Sequence, residues 1–65
     1  MNNLPSRNIV YATRFPTYAA ADTMATKIAA DDSEWEYGVN RVSADCFVIS
    51  VHEVDGPEVY FLGYL

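Results

Sequence analysis

The groups best suited to chemistry lie in the second half of the chain. His52, the single histidine, follows Ser50 by two residues and Cys46, the single cysteine, by six. A serine or cysteine nucleophile needs a base within reach, an acid that orients the base, and a sharp turn that exposes the reacting atom. Ser50 and Cys46 stand instead in a strand-like run with no glycine-rich turn beside them. His52 therefore reads as a structural or solvent-facing histidine and Cys46 as a small hydrophobe. Asp31, Asp32, Glu34 and Glu36 form the other candidate set. A calcium loop places oxygens at alternating positions, with a glycine at the turn and a closing glutamate. This segment has neither, since the first glycine after it is Gly38. A glycosidase pair needs a cleft that so short a chain can hardly build. The three glycines are not clustered as a phosphate loop requires. No catalytic residue, metal ligand or cofactor is assigned.

The carboxylates make better sense as a surface. Residues two apart on a strand lie roughly 6.6 Å apart on one face, of the order of the step between neighbouring phosphates. Glu34 and Glu36 then present a phosphate-like pair, Asp31 and Asp32 extend the row, and Glu53, Asp55 and Glu58 form a second cluster at the last hairpin. Trp35 and Tyr37 add the aromatic packing that protein interfaces favour. These nine residues are the candidate partner-binding set. The plainer alternative is a solvated acidic surface that keeps the chain soluble. Direct nucleic-acid binding is disfavoured, because aromatic platforms for bases sit in basic grooves and the chain has only four Lys and Arg residues.

These residues need elements to position them. Residues 8–15 alternate Ile9, Tyr11, Thr13 and Phe15 against Val10, Ala12 and Arg14, which predicts a first strand. Pro16 stops it, and Thr17 or the residue before Pro16 caps a helix over 18–30. Along that helix Tyr18, Ala21, Met24, Ala25 and Ile28 share one face. Asp31 and Asp32 fall at its negative end, where acids destabilise, so helix stability does not explain them. Strands are expected over 34–42, 46–54 and 58–65, separated by turns at Ser43-Ala44-Asp45 and Asp55-Gly56-Pro57. The predicted class is α+β, in the order β-α-β-β-β: a four-stranded, mostly antiparallel sheet with one helix on one face. Phe47, Ile49 and Val51 share one side of the third strand, opposite Cys46, Val48, Ser50 and Val54. In the last strand Val59, Phe61 and Leu65 are expected to oppose Tyr60, Leu62 and Tyr64. Both sheet faces are thus substantially apolar. Either the sheet curls, or the second face meets another copy or a foreign partner.

Sixty-five residues make one small domain, 1–65, with 1–6 as a loose lead-in. Such a domain buries only about 60% of the surface of its unfolded chain. One cysteine offers no internal disulfide, so packing or self-association must hold the fold. With 51% hydrophobic residues the chain is no disordered acidic tail. A lone cysteine, and no signal-like or membrane-spanning run, points to a reducing cytoplasm. The net charge of −5 is unevenly spread: residues 1–30 carry three bases against Asp22, and residues 31–65 carry Arg41 against eight acids. The negative part repels nucleic acid and attracts basic protein surfaces.

In overall size, element order and charge, the chain resembles the small phage-encoded anti-CRISPR proteins that block type I CRISPR-Cas systems, those directed at type I-C among them. The likeness covers the whole length: an opening strand at 8–15, an alanine-rich helix at 18–30, and an acidic, strand-rich half that begins Asp31-Asp32-Ser33-Glu34-Trp35-Glu36. It rests on no shared motif, so it transfers no site residues. It implies a non-enzymatic inhibitor, acting in the host-cell cytoplasm, that binds the crRNA-guided surveillance complex and blocks target DNA recognition through an acidic, DNA-mimicking surface. At only −5 the chain departs from the most acidic mimics, which leaves room for a mixed apolar and acidic interface. Two other expectations stand beside this one. One is a small homodimeric structural or regulatory protein in which Val48, Tyr60, Leu62 and Tyr64 bury against their copies. The other is an inhibitor of host transcription acting through the same acidic surface.

Overall fold

The computed structural model describes residues 5–32 and 34–65. Four elements organise it: the helix α1 (Tyr18–Asp31) and the strands β1 (Glu36–Ser43), β2 (Cys46–Asp55) and β3 (Glu58–Tyr64). The strands form one antiparallel sheet in the order β1-β2-β3. The α+β class holds, but the sheet has three strands rather than four.

The missing strand is the predicted first one. Residues 9–11 form a 3-10 turn instead. Its cause is local. The Asn8 side chain accepts a hydrogen bond from the Val10 amide at 3.0 Å, and the Ala12 amide donates to the Ile9 carbonyl at 3.0 Å. A short polar side chain that satisfies nearby backbone groups competes with sheet pairing and here overrides the β-branched alternation. Only the flanks of the segment reach the sheet, through isolated antiparallel bridges from Ser6 to Tyr64 and from Phe15 to Phe47. Leu65 lies between these flanks, taking the Thr13 amide on its carbonyl at 2.7 Å and giving its own amide to Ile49 at 3.0 Å. Of the expected loose lead-in, residues 1–4 and their structure lie outside the described residues. Ser6 exchanges two backbone bonds with Tyr64, at 2.8 and 2.7 Å.

The helix begins where expected. The Thr17 hydroxyl oxygen accepts the Ala20 amide at 3.1 Å, a side-chain N-cap. Its buried stripe is Ala21 and Ala25, with Ile28 half-buried, while Tyr18 and Met24 stay partly exposed. Alanine without a bulky side chain lets α1 lie close against β1 and β2, where Ala21, Ala25 and Ile49 pack with Phe15, Tyr37, Val39, Phe47 and Leu65. Ile49 is 1% exposed, a burial that stabilises by roughly 1.5–3 kcal/mol.

Both hairpins turn on two residues. Ala44-Asp45 joins β1 to β2, and Gly56-Pro57 joins β2 to β3. Gly56 takes φ +59° at the first central position while Pro57 cannot follow into positive φ, a combination that fits a type II′ turn and excludes I′.

Two register shifts correct the expected faces. One lies between Arg41 and Ser43. The other makes Gly63 pair with Val51 and Phe61 with His52, leaving Leu62 as an extra residue. A bulge reverses the alternation beyond it. Phe61 and Tyr64, predicted on opposite faces, therefore share one, with ring centroids 5.1 Å apart. The predicted dimer face breaks up for related reasons. Val48 is fully buried within the single chain, and the bulge sets Tyr64 beside Phe61, on the side of the sheet opposite Tyr60.

Candidate protein interface

The helix runs from the end of the sheet near Phe47, where Tyr18 meets that ring edge-on at 6.1 Å, to the end where β1 begins. β1 then runs back, β2 returns, and β3 runs back again. The α1–β1 and β2–β3 connections thus lie at one end of the molecule. Seven of the nine acids belong to them: Asp31, Asp32, Glu34 and Glu36 at the first, Glu53, Asp55 and Glu58 at the second. The C-terminus of α1 adds the negative pole of its dipole there. Two arginines are engaged towards the opposite end. Arg14 donates to the Cys46 sulfur at 3.3 Å, and Arg41 donates through Nε to the Ser43 carbonyl at 3.2 Å. Asp22 and Asp45 also lie away from the acidic end.

The first cluster does not form the expected row. β1 starts at Glu36, so Glu34 sits in the preceding turn and strand spacing does not relate the two. Asp31 closes the helix, and Asp32 is its C-cap, with the backbone N–H of Asp32 donating to the Ile28 carbonyl at 2.9 Å. The Asp32 carboxylate accepts the Glu34 amide at 3.0 Å. Ser33, between them, lies outside the described residues. Burial first, then the charges of Asp32 and Glu34, push the Tyr37 phenol above the ordinary value of 10.0. Those two carboxylates thus act on the helix side of the sheet, whereas Glu36 is paired with His52 on the other side. Tyr37 is half-buried against the helix core, so it anchors the fold beneath the acids. Trp35 is also half-buried; Asp31, Glu34 and Glu36 are exposed.

The second cluster lies on a projecting ribbon that sequence reasoning did not distinguish. Pairing of β1 with β2 ends at Glu36 and His52, and α1 packs on β1 and β2 but not on β3. From Glu53 to Phe61 every residue is exposed. This two-stranded arm has two unlike sides. Val54, Val59 and Phe61 follow His52 on one; Glu53, Asp55, Glu58 and Tyr60 occupy the other. The Tyr60 hydroxyl donates to the Glu58 carboxylate. That bond first, then desolvation and the Glu53 charge, raise the Tyr60 pKa from 10.0. No sequence signal marked it, because the expected strands 34–42 and 46–54 are equally long; the arm exists because β1 starts only at Glu36 while β2 continues to Asp55.

His52 and Ser50 do meet. The Ser50 hydroxyl lies 2.9 Å from His52 Nε2 and 3.3 Å from the Gly38 carbonyl, to which it donates. Ser50 is 2% exposed, so the pair braces β2 against β1 with its hydroxyl closed to a substrate carbon. Among the described residues, no three His, Cys, Asp or Glu side chains converge as metal ligands would. An open cleft of about 490 Å³ between the N-terminal segment and α1, lined by Tyr11, Phe15, Met24, Ile28 and Leu65, includes none of the seven acids. Among the described residues no helix is long and apolar enough to cross a membrane. In comparisons with known proteins, the chain matches no family model, no curated protein and no solved structure.

Proposed function

We propose that the chain is a non-enzymatic inhibitor that sets its acidic end against a basic, nucleic-acid-binding surface of a protein partner, the type I CRISPR surveillance complex being the partner its resemblance suggests. The observation that carries this reading is the collection of seven carboxylates and the negative helix pole at one end of a small body, with Arg14 and Arg41 held towards the other. Lys and Arg side chains that release counterions on binding phosphates gain the same partners from carboxylates. Surface acids of this kind contribute little to stability, so exchanging them tests binding rather than folding.

The test is reversal of Glu34 and Glu36 to Lys, alone and together with Glu53→Lys and Glu58→Lys. Each set is expected to leave the fold intact and weaken binding to the surveillance complex, the full set by at least about tenfold. The native complex is expected to weaken as salt is added. Unchanged binding in the full set, or a salt-insensitive complex, refutes the reading. An inhibitor of host transcription would use the same end, and capture of RNA polymerase in place of the surveillance complex would reassign the partner.

A further inference from the structure

The arm formed by the distal halves of β2 and β3 has a side that the acidic reading leaves unused. Val54 is 47% exposed, Val59 62% and Phe61 38%. Val54 and Val59 are register partners, and Phe61, two residues on from Val59, shares their side with its ring tilted against His52 at 5.7 Å, so the three make one continuous apolar strip. Isolated two-stranded ribbons are marginally stable in water, and a ribbon that exposes such a strip gains most from a surface that covers it. The opposite side of the same ribbon carries Glu53, Asp55 and Glu58.

Resting on the proposed inhibitor function, we infer that this arm is the element that enters the partner, docking by both sides at once into a protein cleft with one apolar or aromatic wall and one basic wall. That pairing of walls is what a single-stranded nucleic-acid channel provides, with stacking platforms for bases and cations for phosphates. A surface built only to grip duplex phosphates offers the valines nothing. Charge selects against a second copy as occupant. The strip lies at the acidic end, so pairing two copies through it brings both sets of carboxylates together, and like charges in juxtaposition oppose association.

The test uses the isotope-labelled full chain and two synthetic probes: a short lysine peptide with interspersed tryptophans, and the same peptide with serine in their place. The tryptophan peptide is expected to bind about tenfold more tightly, with amide shift changes centred on Val54, Val59 and Phe61. Val54→Thr with Val59→Thr keeps β-branched residues at exposed sites and is expected to erase that preference while leaving the serine peptide's affinity unchanged. Equal affinity for the two peptides, shift changes centred on α1, or self-association of the free chain through Val59 overturns the inference and leaves the acidic-end reading standing. If neither peptide binds, the acidic-end reading falls with it.

Discussion

Replacing Gly63 with alanine tests how the N-terminal segment is held. Gly63 takes φ +152°, and a Cβ there would stand 2.7 Å from the Ser6 carbonyl oxygen, 2.8 Å from its carbon and 3.1 Å from the Pro5 Cβ. The two nearest atoms are backbone, so the segment itself must move. Moving it strains or breaks the paired bonds between Ser6 and Tyr64, each with a net contribution of about 0.5–1.5 kcal/mol. The unfavourable backbone conformation adds about 1–3 kcal/mol. A loss of about 3 kcal/mol is a large part of the roughly 3–10 kcal/mol that holds a domain of this size, and it lowers the melting temperature by roughly 12–24 °C. Gly56→Ala is the control, because Gly56 has φ +59° but nothing within 4 Å of an added Cβ; its cost is the conformational one, roughly 1–2 kcal/mol. Thermal and urea unfolding followed by circular dichroism measure both variants, and amide exchange at Ser6 locates the damage. If Gly63→Ala costs no more than Gly56→Ala, or exchange at Ser6 is unchanged, the clamp assigned to Gly63 is wrong.

The Ser50 hydroxyl is expected to couple β2 to β1. Ser50→Ala leaves His52 Nε2 and the Gly38 carbonyl without that partner and is expected to cost about 1–3 kcal/mol. An alanine at Gly38 would place its Cβ 3.2 Å from the Ser50 hydroxyl, so Gly38→Ala should be better tolerated in the Ser50→Ala background than alone; additive losses in urea unfolding would show that the two sites do not interact. The Tyr37 phenol is expected to ionise above the ordinary 10.0, and Asp32→Asn with Glu34→Gln to lower its titration point without moving that of Tyr60. Because the folded pKa is the raised one, the associated stability is complete below the unfolded value and is lost as pH rises through the folded one. A phenolate absorbance titration that fails to move in the double variant would place those carboxylates away from Tyr37.

The helix and both hairpins were legible because their signals are local. Thr17 caps α1, its alanines favour helix and fit a close approach, and Gly56-Pro57 admits few turns. The first strand misled because Asn8 satisfies the backbone within its own turn, a competition that apolar alternation does not register. Leu62 misled differently. A single extra residue in β3 moved Tyr64 onto the face of Phe61, and nothing in Tyr-Phe-Leu-Gly-Tyr marks the bulge except Gly63 itself. Among the nine candidate interface residues the carboxylates could be grouped in sequence, but the role of Tyr37 as a core side chain depends on which face α1 covers. The arm depends on where β1 starts.

The concentration of charge at one end follows from the path of the chain. When successive elements run up and down, alternate connections fall at the same end, and here the α1–β1 and β2–β3 connections hold the acids while the β1–β2 turn carries only Asp45. The net charge of −5 is therefore gathered at one end rather than spread, since Arg14 and Arg41 lie elsewhere with Asp22 and Asp45, which they balance, and only Lys27 stands one helical turn before Asp31. For a partner cation about 10 Å from all seven acids, the unscreened attraction in water is roughly 3 kcal/mol. With a screening length of about 8 Å it falls to roughly 0.8 kcal/mol. The acids alone thus give fast, salt-sensitive encounter with modest affinity, and a complex that persists at physiological salt needs buried apolar contact beside them. The exposed strip of Val54, Val59 and Phe61 lies on the same hairpin as the second acidic cluster, so one projecting arm offers both the charge that guides approach and the surface that retains the partner.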